Sequence, residues 1–200
     1  MDTEELIFAG VNISSGRLPV TFAALDDGMN ILLLEKYEID HIVAHLKQYA
    51  HITLALNIPS IKRLLGIYPG FKKKIHRAGL KPYTTKNVPK QILETNAQDC
   101  FYVLIGKSPL SRRTLEGRVQ RALVLYEQGL RINDPMDFFE ELTRHHMLSG
   151  VFPNELLYSA SELDALAGAY VAWLSVNEPE QIRVLGNKNV LPKDPEAESD

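Results

Sequence analysis

The chain has 200 residues, of which 45% are hydrophobic and 24% charged, and this composition suits one globular domain with a sizeable core. Its single cysteine, Cys100, cannot form an internal disulfide bond, which is typical of a reducing compartment. No run of about 18 apolar residues is present to cross a membrane, and the start of the chain is acidic where a signal peptide would be basic. We therefore expect a cytoplasmic protein with no membrane partner.

The net charge of −3 is unevenly distributed along the chain. Residues 62–121 contain fourteen Lys and Arg against three acids, so this segment carries +11 and the remainder −14. Such asymmetry indicates an anionic partner, for which nucleic acid is the candidate, although a solvated helix surface has the same composition. Lys72 and Lys73 are the candidate phosphate contacts in the first half of the segment.

The first strands and helix follow from apolar periodicity. Apolar runs at 6–14, 18–25 and 29–35 are joined by two short turns that both contain glycine, and they predict a three-stranded antiparallel meander. Residues 39–49 have the apolar spacing of a helix, and 51–59 predict a second buried strand.

The middle of the chain combines the basic segment with short elements. Residues 60–90 predict a basic insertion that is helical in two pieces, interrupted at 68–70. A short strand over 91–95 carries Glu94 near its end, and helices are predicted over 98–105 and 115–130.

A further helix is predicted to start at Asp134 and Pro135, since an acid at the N-cap and proline at the first helical position is a typical helix start. The helix is expected to reach about Met147 and to end near Gly150. Its predicted core anchors are Phe138, Phe139 and Leu142.

The stretch 159–174 is a strongly patterned helix with an acid on its packing side. Small residues at 165, 168, 169 and 172 leave a flank that can approach a sheet closely, and Asp164 projects from that flank. Ser159 with Glu162 and Ser161 with Asp164 both have the spacing of a capping box. Asp164 is therefore either a helix cap or a functional acid.

Polar residues stand near the ends of several predicted strands. Asn12, Asn57 and Glu94 occupy such positions, and sites in sheets flanked by helices usually collect at strand ends. A pair of amides that satisfies the backbone is the alternative for the asparagines. The element order is compatible with a ribonuclease H-like α/β fold, with a central mixed five-stranded sheet, over residues 1–192. Residues 193–200 predict a disordered charged tail.

Several short motifs resemble those of one known family, the predicted nucleases of domain of unknown function 429, which are assigned to the ribonuclease H-like fold. The matching pieces are spread over nearly the whole chain. They are Gly10-Val11-Asn12, Asn57-Ile58-Pro59, Glu94, the Arg-Thr-x-x-Gly-Arg element from Arg113 to Arg118, Asp164-Ala165-Leu166, and Gly186 through Leu191-Pro192.

The resemblance implies hydrolysis of a phosphodiester by carboxylates that hold Mg²⁺ or Mn²⁺, because hard dications prefer anionic oxygen ligands. It implies Glu94 and Asp164 as metal ligands, with Asn12 and Asn57 beside them in the catalytic site. Arg113, Arg118 and Arg121 would contact substrate phosphates, or would pair with the acidic remainder of the chain.

The family more usually has aspartate at the positions of Asn12 and Asn57. Asparagine can offer a carbonyl oxygen to a metal but contributes no charge. Two carboxylates leave three possibilities open, namely a one-metal nuclease, a site that has lost catalysis, and a scaffold that binds nucleic acid or protein without catalysis.

Overall fold

The structure is a computed structural model that describes residues 6–13, 19–58, 67–84, 88–185 and 189–194. Its strands fall into one large sheet and one small hairpin. They are β1 (Leu6–Asn12), β2 (Val20–Leu25), β3 (Ile31–Tyr37), β4 (His51–Asn57), β5 (Lys81–Pro82), β6 (Lys90–Thr95), β7 (Ile182–Val184) and β8 (Val190–Pro192).

The large sheet is mixed, and its strand order is β3-β2-β1-β4-β6-β5. The predicted meander is confirmed, since β2 pairs antiparallel with both β1 and β3. Strand β4 runs parallel to β1, and β6 runs parallel to β4. The sheet has six strands instead of the predicted five, because the two-residue β5 adds an edge beside β6. A strand of two residues has no periodicity that a sequence pattern can reveal.

Helices cover both faces of the sheet. Helix α7 packs with α3 and α4 on one face, and α1 and α2 pack on the other. The helices are α1 (Ile39–Gln48), α2 (Ile67–Arg77), α3 (Ala97–Ile105), α4 (Leu115–Glu127), α5 (Asp137–Glu141), α6 (Arg144–Ser149) and α7 (Ala160–Asn177).

Helix α7 lies against the backbone of β1, as its small-residue flank predicts. A Cβ atom added to Gly10 would stand 1.9 Å from the carbonyl oxygen of Ala165, so only glycine fits there. A Cβ atom added to Gly168 would lie 3.4 Å from the Cα atom of Gly10 and 3.7 Å from the Cβ atom of Ala55. This contact brings the first turns of α7 to the carboxyl ends of β1 and β4.

Two helix predictions were wrong in detail. Helix α2 covers residues 68–70 without interruption, because Pro69 stands in the first turn, where its missing N–H costs no helix hydrogen bond. The helix predicted to start at Asp134 is instead two short helices, α5 and α6, separated at Leu142 and Thr143. The Thr143 side chain accepts a hydrogen bond from His146 N and so begins a new helix.

Residues 179–185 and 189–194 form the last described part of the chain. Strand β7 pairs antiparallel with β8 in the separate hairpin. Lys193 N donates to the carbonyl oxygen of Gln181, whereas residues 195–200 of the predicted tail lie outside the described residues. None of the described helices combines the length and the apolar composition needed to cross a lipid bilayer.

Candidate site at the carboxyl ends of β1 and β4

Asn12 and Asn57 lie side by side at the ends of the two central strands. They are partners in the parallel register of β1 and β4, and both are 3% exposed. Asn57 Nδ2 donates to Asn12 Oδ1 at 3.1 Å, and Asn57 Oδ1 accepts from Ala97 N at 2.9 Å. The two amides therefore link the central strands to the first residue of α3.

Asp164 completes this network from α7. Asn12 Nδ2 donates to Asp164 Oδ2 at 3.2 Å and to the Ser161 carbonyl oxygen at 3.3 Å. The cap of α7 is formed by Ser159 and Glu162, which make both hydrogen bonds of a capping box. Asp164 is therefore not the helix cap. Its carboxylate joins the amides of Asn12 and Asn57, and we call these three side chains the strand-end network.

Arg112 brings a positive charge to the buried carboxylate. Its guanidinium Nη2 lies 2.8 Å from Asp164 Oδ2, and the side chains of Arg112 and Asp164 are 37% and 5% exposed. Burial raises the pKa of Asp164 to about 6, while Arg112, Arg121 and the hydrogen bond from Asn12 lower it. The carboxylate is thus held inside the protein between an amide and a guanidinium.

Two residues of α4 fix the loop that carries Arg112. The Nη1 atom of Arg121 donates to the carbonyl oxygens of Leu110 and Gly117 at 2.7 and 2.8 Å. A Cβ atom at Gly117 would lie 1.9 Å from the Ser111 carbonyl oxygen, so the loop can reach α4 only because residue 117 is glycine. These contacts hold Arg112 in place opposite Asp164.

The three arginines that were predicted to bind phosphate make different contacts in the structure. Arg118 donates to the carbonyl oxygens of Tyr158 and Leu157, each at 2.8 Å, and joins α4 to the start of α7. Arg121 is 1% exposed, and it also donates to Gln98 Oε1 at 3.0 Å. Arg121 is thus held in the interior, whereas Arg118 is half-buried and uses its guanidinium to fix the start of α7. Arg113 is exposed and makes no ion pair among the described residues.

Glu94 does not join Asp164, contrary to the expectation that both would hold one metal. Side chains alternate between the faces of a strand, and in β6 the residue beside Asn57 is Thr95. Leu93 packs in the core with α7, whereas Ile92 packs in the core with α1 and α2. Glu94 therefore points to the α2 face, where Lys72 Nζ lies 2.7 Å from its Oε1 atom.

Two of the predicted substrate contacts, Lys72 and Lys73, lie on α2. Lys72 is the ion-pair partner of Glu94, and Lys73 is exposed. On the opposite face, Thr95 is fully buried and donates to the Val190 carbonyl oxygen at 2.8 Å.

The arrangement does not fit a Mg²⁺ or Mn²⁺ ion. Asp164 is its one carboxylate among the described residues, and the Oδ2 atom of that carboxylate already accepts from Asn12 and Arg112. The amide oxygens of Asn12 and Asn57 each accept an N–H donor. A dication requires several oxygen ligands with little positive charge nearby, and a guanidinium occupies that place here. The described residues contain no group of three His, Cys, Asp or Glu side chains that could hold a metal ion.

Comparisons with family models, curated proteins and solved structures find no match. The proposed function therefore rests on the geometry of the strand-end network and on the distribution of charge.

Proposed function

We propose that the chain is a nucleic-acid-binding protein without nuclease activity, built on a ribonuclease H-like scaffold. The scaffold is supported by the sheet, in which an antiparallel meander is extended by strands parallel to β1, with β4 beside it. Helix α7 adds an acid to the ends of those strands, as the closing helix of that fold would.

The proposed lack of nuclease activity rests mainly on the pairing of Arg112 with Asp164. The chain supplies its own cation to the carboxylate, and the two asparagines fill the positions where the resemblance would place further acids. The segments 14–18 and 59–66, which follow β1 and β4 in sequence, contain no Asp or Glu. No second carboxylate is thus available from them to bind a metal beside Asp164.

The nucleic-acid partner is supported by a groove on the other face of the molecule, between α1 and α2, which we call the basic groove. Its lining includes Lys47, Lys74 and Arg77 over an apolar floor of Val43 and Ala78. Asp40, the one acid among the described residues that line the groove, pairs with Lys74. Within the described part of the chain, Lys47 and Arg77 make no ion pair, so their charges are available to an anion.

Further cations extend the basic groove toward the sheet edge. Lys90 Nζ reaches the carbonyl oxygens of Leu46 and Lys47 at the end of α1, at 3.4 and 3.3 Å. Lys73 is exposed on α2, one turn before Arg77. A stripe of Lys and Arg with few acids suits the regularly spaced phosphates of a nucleic-acid backbone, bound with little sequence preference.

The proposal is tested by fluorescence anisotropy with labelled single-stranded DNA, single-stranded RNA and duplex DNA at several salt concentrations. We expect salt-dependent binding by the wild type. Combining Lys47→Glu with Arg77→Glu should weaken it about tenfold or more and lower the salt slope by about two counterions. The matched control combines Lys36→Glu with Lys107→Glu, two exposed lysines away from the groove, and changes the net charge equally.

Two results would contradict the proposal. Absence of salt-dependent binding by the wild type removes the nucleic-acid partner. Cleavage of the same substrates in Mg²⁺ or Mn²⁺, lost in Asp164→Asn, would instead establish a metal-dependent nuclease.

A further inference from the structure

Exposed apolar side chains are concentrated between α4 and α7. Six of the thirteen exposed large hydrophobic residues in the described part of the chain lie within residues 136–152. Their exposed fractions range from 42% at Phe152 to 79% at Leu148. We call this set the α5–α6 apolar surface. It consists of Met136, Phe139, Met147, Leu148, Val151 and Phe152. Exposed apolar groups at this density mark interaction sites in soluble proteins.

The segment that carries this surface is anchored to the rest of the molecule. Phe138 and Leu157 are buried with Val119 of α4 in a small separate core. Phe139 was predicted to be a core anchor, but it is 48% exposed, because Phe138 and the partly buried Leu142 pack against α4 instead. Apolar side chains are therefore displayed outward from a segment that is itself packed.

Four of the six residues lie around one turn at the end of α6. Gly150 adopts a left-handed conformation with φ 69°, and Val151 N donates to the His146 carbonyl oxygen. This helix termination folds the chain back, so that Val151 and Phe152 follow closely after Met147 and Leu148. Methionine and phenylalanine at such a site give an apolar contact surface that adapts to its partner.

The charges around the surface restrict what can cover it. The exposed acids of the segment are Asp137, Glu140, Glu141 and Glu155, and its exposed arginine is Arg144. A second copy bound through the same surface would place acid against acid. Anionic lipid and nucleic acid would be repelled in the same way. The complementary partner is both apolar and basic.

We propose that the α5–α6 apolar surface binds a basic amphipathic helix of another protein. The apolar stripe of such a helix, at positions i, i+3, i+4 and i+7, would cover the Met, Leu and Phe side chains. Lysine and arginine flanking the stripe would face the acids of the segment. This surface lies apart from the basic groove, so it would allow the protein to hold a nucleic acid and a protein partner together.

The test uses a labelled synthetic helix with leucine at the i, i+3, i+4 and i+7 spacing and lysine elsewhere, titrated by fluorescence anisotropy with the full chain. We expect saturable binding that the double variant Leu148→Ser with Phe152→Ser weakens about tenfold or more. The matched control removes two exposed hydrophobics elsewhere, Leu32→Ser with Val184→Ser, and should bind as the wild type does.

Three outcomes would overturn the inference. Equal binding by the wild type and by the Leu148→Ser, Phe152→Ser variant would show that the surface is not the site. Equal binding of an analogue with glutamate in place of lysine would show that the acids do not select the partner. Concentration-dependent dimerisation of the wild type, absent from that variant in light scattering, would assign the surface to a second copy.

Discussion

The guanidinium of Arg112 lies 2.8 Å from the Oδ2 atom of Asp164, a carboxylate whose side chain is 5% exposed. Asn12 donates to the same oxygen atom, and Asn57 in turn donates to Asn12. A position that resembles a metal centre in sequence is thus filled by the protein's own amides and guanidinium. The consequences of this arrangement can be measured on the purified protein.

Removal of Arg112 should destabilise the fold, because the buried Asp164 loses its charged partner. We expect Arg112→Ala to lower the free energy of unfolding by about 1–3 kcal/mol, the usual cost of a buried polar group left unpaired. Urea denaturation at neutral pH measures the change. The control is Arg113→Ala at the adjacent exposed position, for which a change within about 0.5 kcal/mol is expected. Equal effects of the two substitutions would contradict the pairing.

The stability of the protein should depend on the ionisation of Asp164. Burial raises the pKa of Asp164 to about 6 in the folded protein, whereas unfolded aspartate titrates near pH ~4. The folded state therefore binds the proton more tightly, and the wild type loses stability relative to Asp164→Asn as the pH rises between those values. We expect a relative loss of up to about 3 kcal/mol.

Urea unfolding of both proteins at pH values across this window provides the measurement. A difference in unfolding free energy that stays constant with pH, or that changes in favour of the wild type as pH rises, would contradict the raised pKa.

The close approach of α7 to β1 should make Gly10 intolerant of any side chain. The Cβ atom of alanine would meet Ala165 O at 1.9 Å and Ala169 N at 2.5 Å. Gly10→Ala should therefore cost about 3 kcal/mol or more, or prevent folding. Gly70→Ala in α2 is the matched control, since nothing lies within 4 Å of its added Cβ. That substitution should raise stability by about 0.5–1 kcal/mol. Thermal unfolding by circular dichroism compares the two, and a tolerated Gly10→Ala would refute the packing.

The position of the loop that carries Arg112 should depend on the side chain of Arg121. Arg121→Met keeps the apolar stem but leaves the carbonyl oxygens of Leu110 and Gly117 without these hydrogen bonds. We expect a loss of about 2–4 kcal/mol and faster proteolysis within residues 106–114. Limited proteolysis followed by mass spectrometry locates the cuts. Unchanged protection of this loop would show that Arg121 does not hold it.

The sequence predicted most of the fold because the decisive patterns were local. Alternating and continuous apolar runs defined the meander and β4, and the small residues of α7 predicted its contact with the sheet. Asn12 and Asn57, which the resemblance placed in one site, lie side by side because β1 and β4 are neighbours.

The site was predicted less completely because it depends on side-chain direction and on loops. A shift of one residue along β6 separates Thr95, on the side of Asp164, from Glu94, on the side of Lys72. Arg112 precedes the Arg-Thr-x-x-Gly-Arg element, so the resemblance pointed to its neighbour Arg113. The path of the loop over Gly117 decides which arginine reaches the carboxylate.

Calorimetric titration of the wild type and of Asp164→Asn with Mn²⁺ tests most directly whether the chain's own guanidinium replaces a metal at the strand-end network. The arrangement predicts no binding heat that depends on Asp164. Stoichiometric Mn²⁺ binding by the wild type that disappears in Asp164→Asn would contradict it.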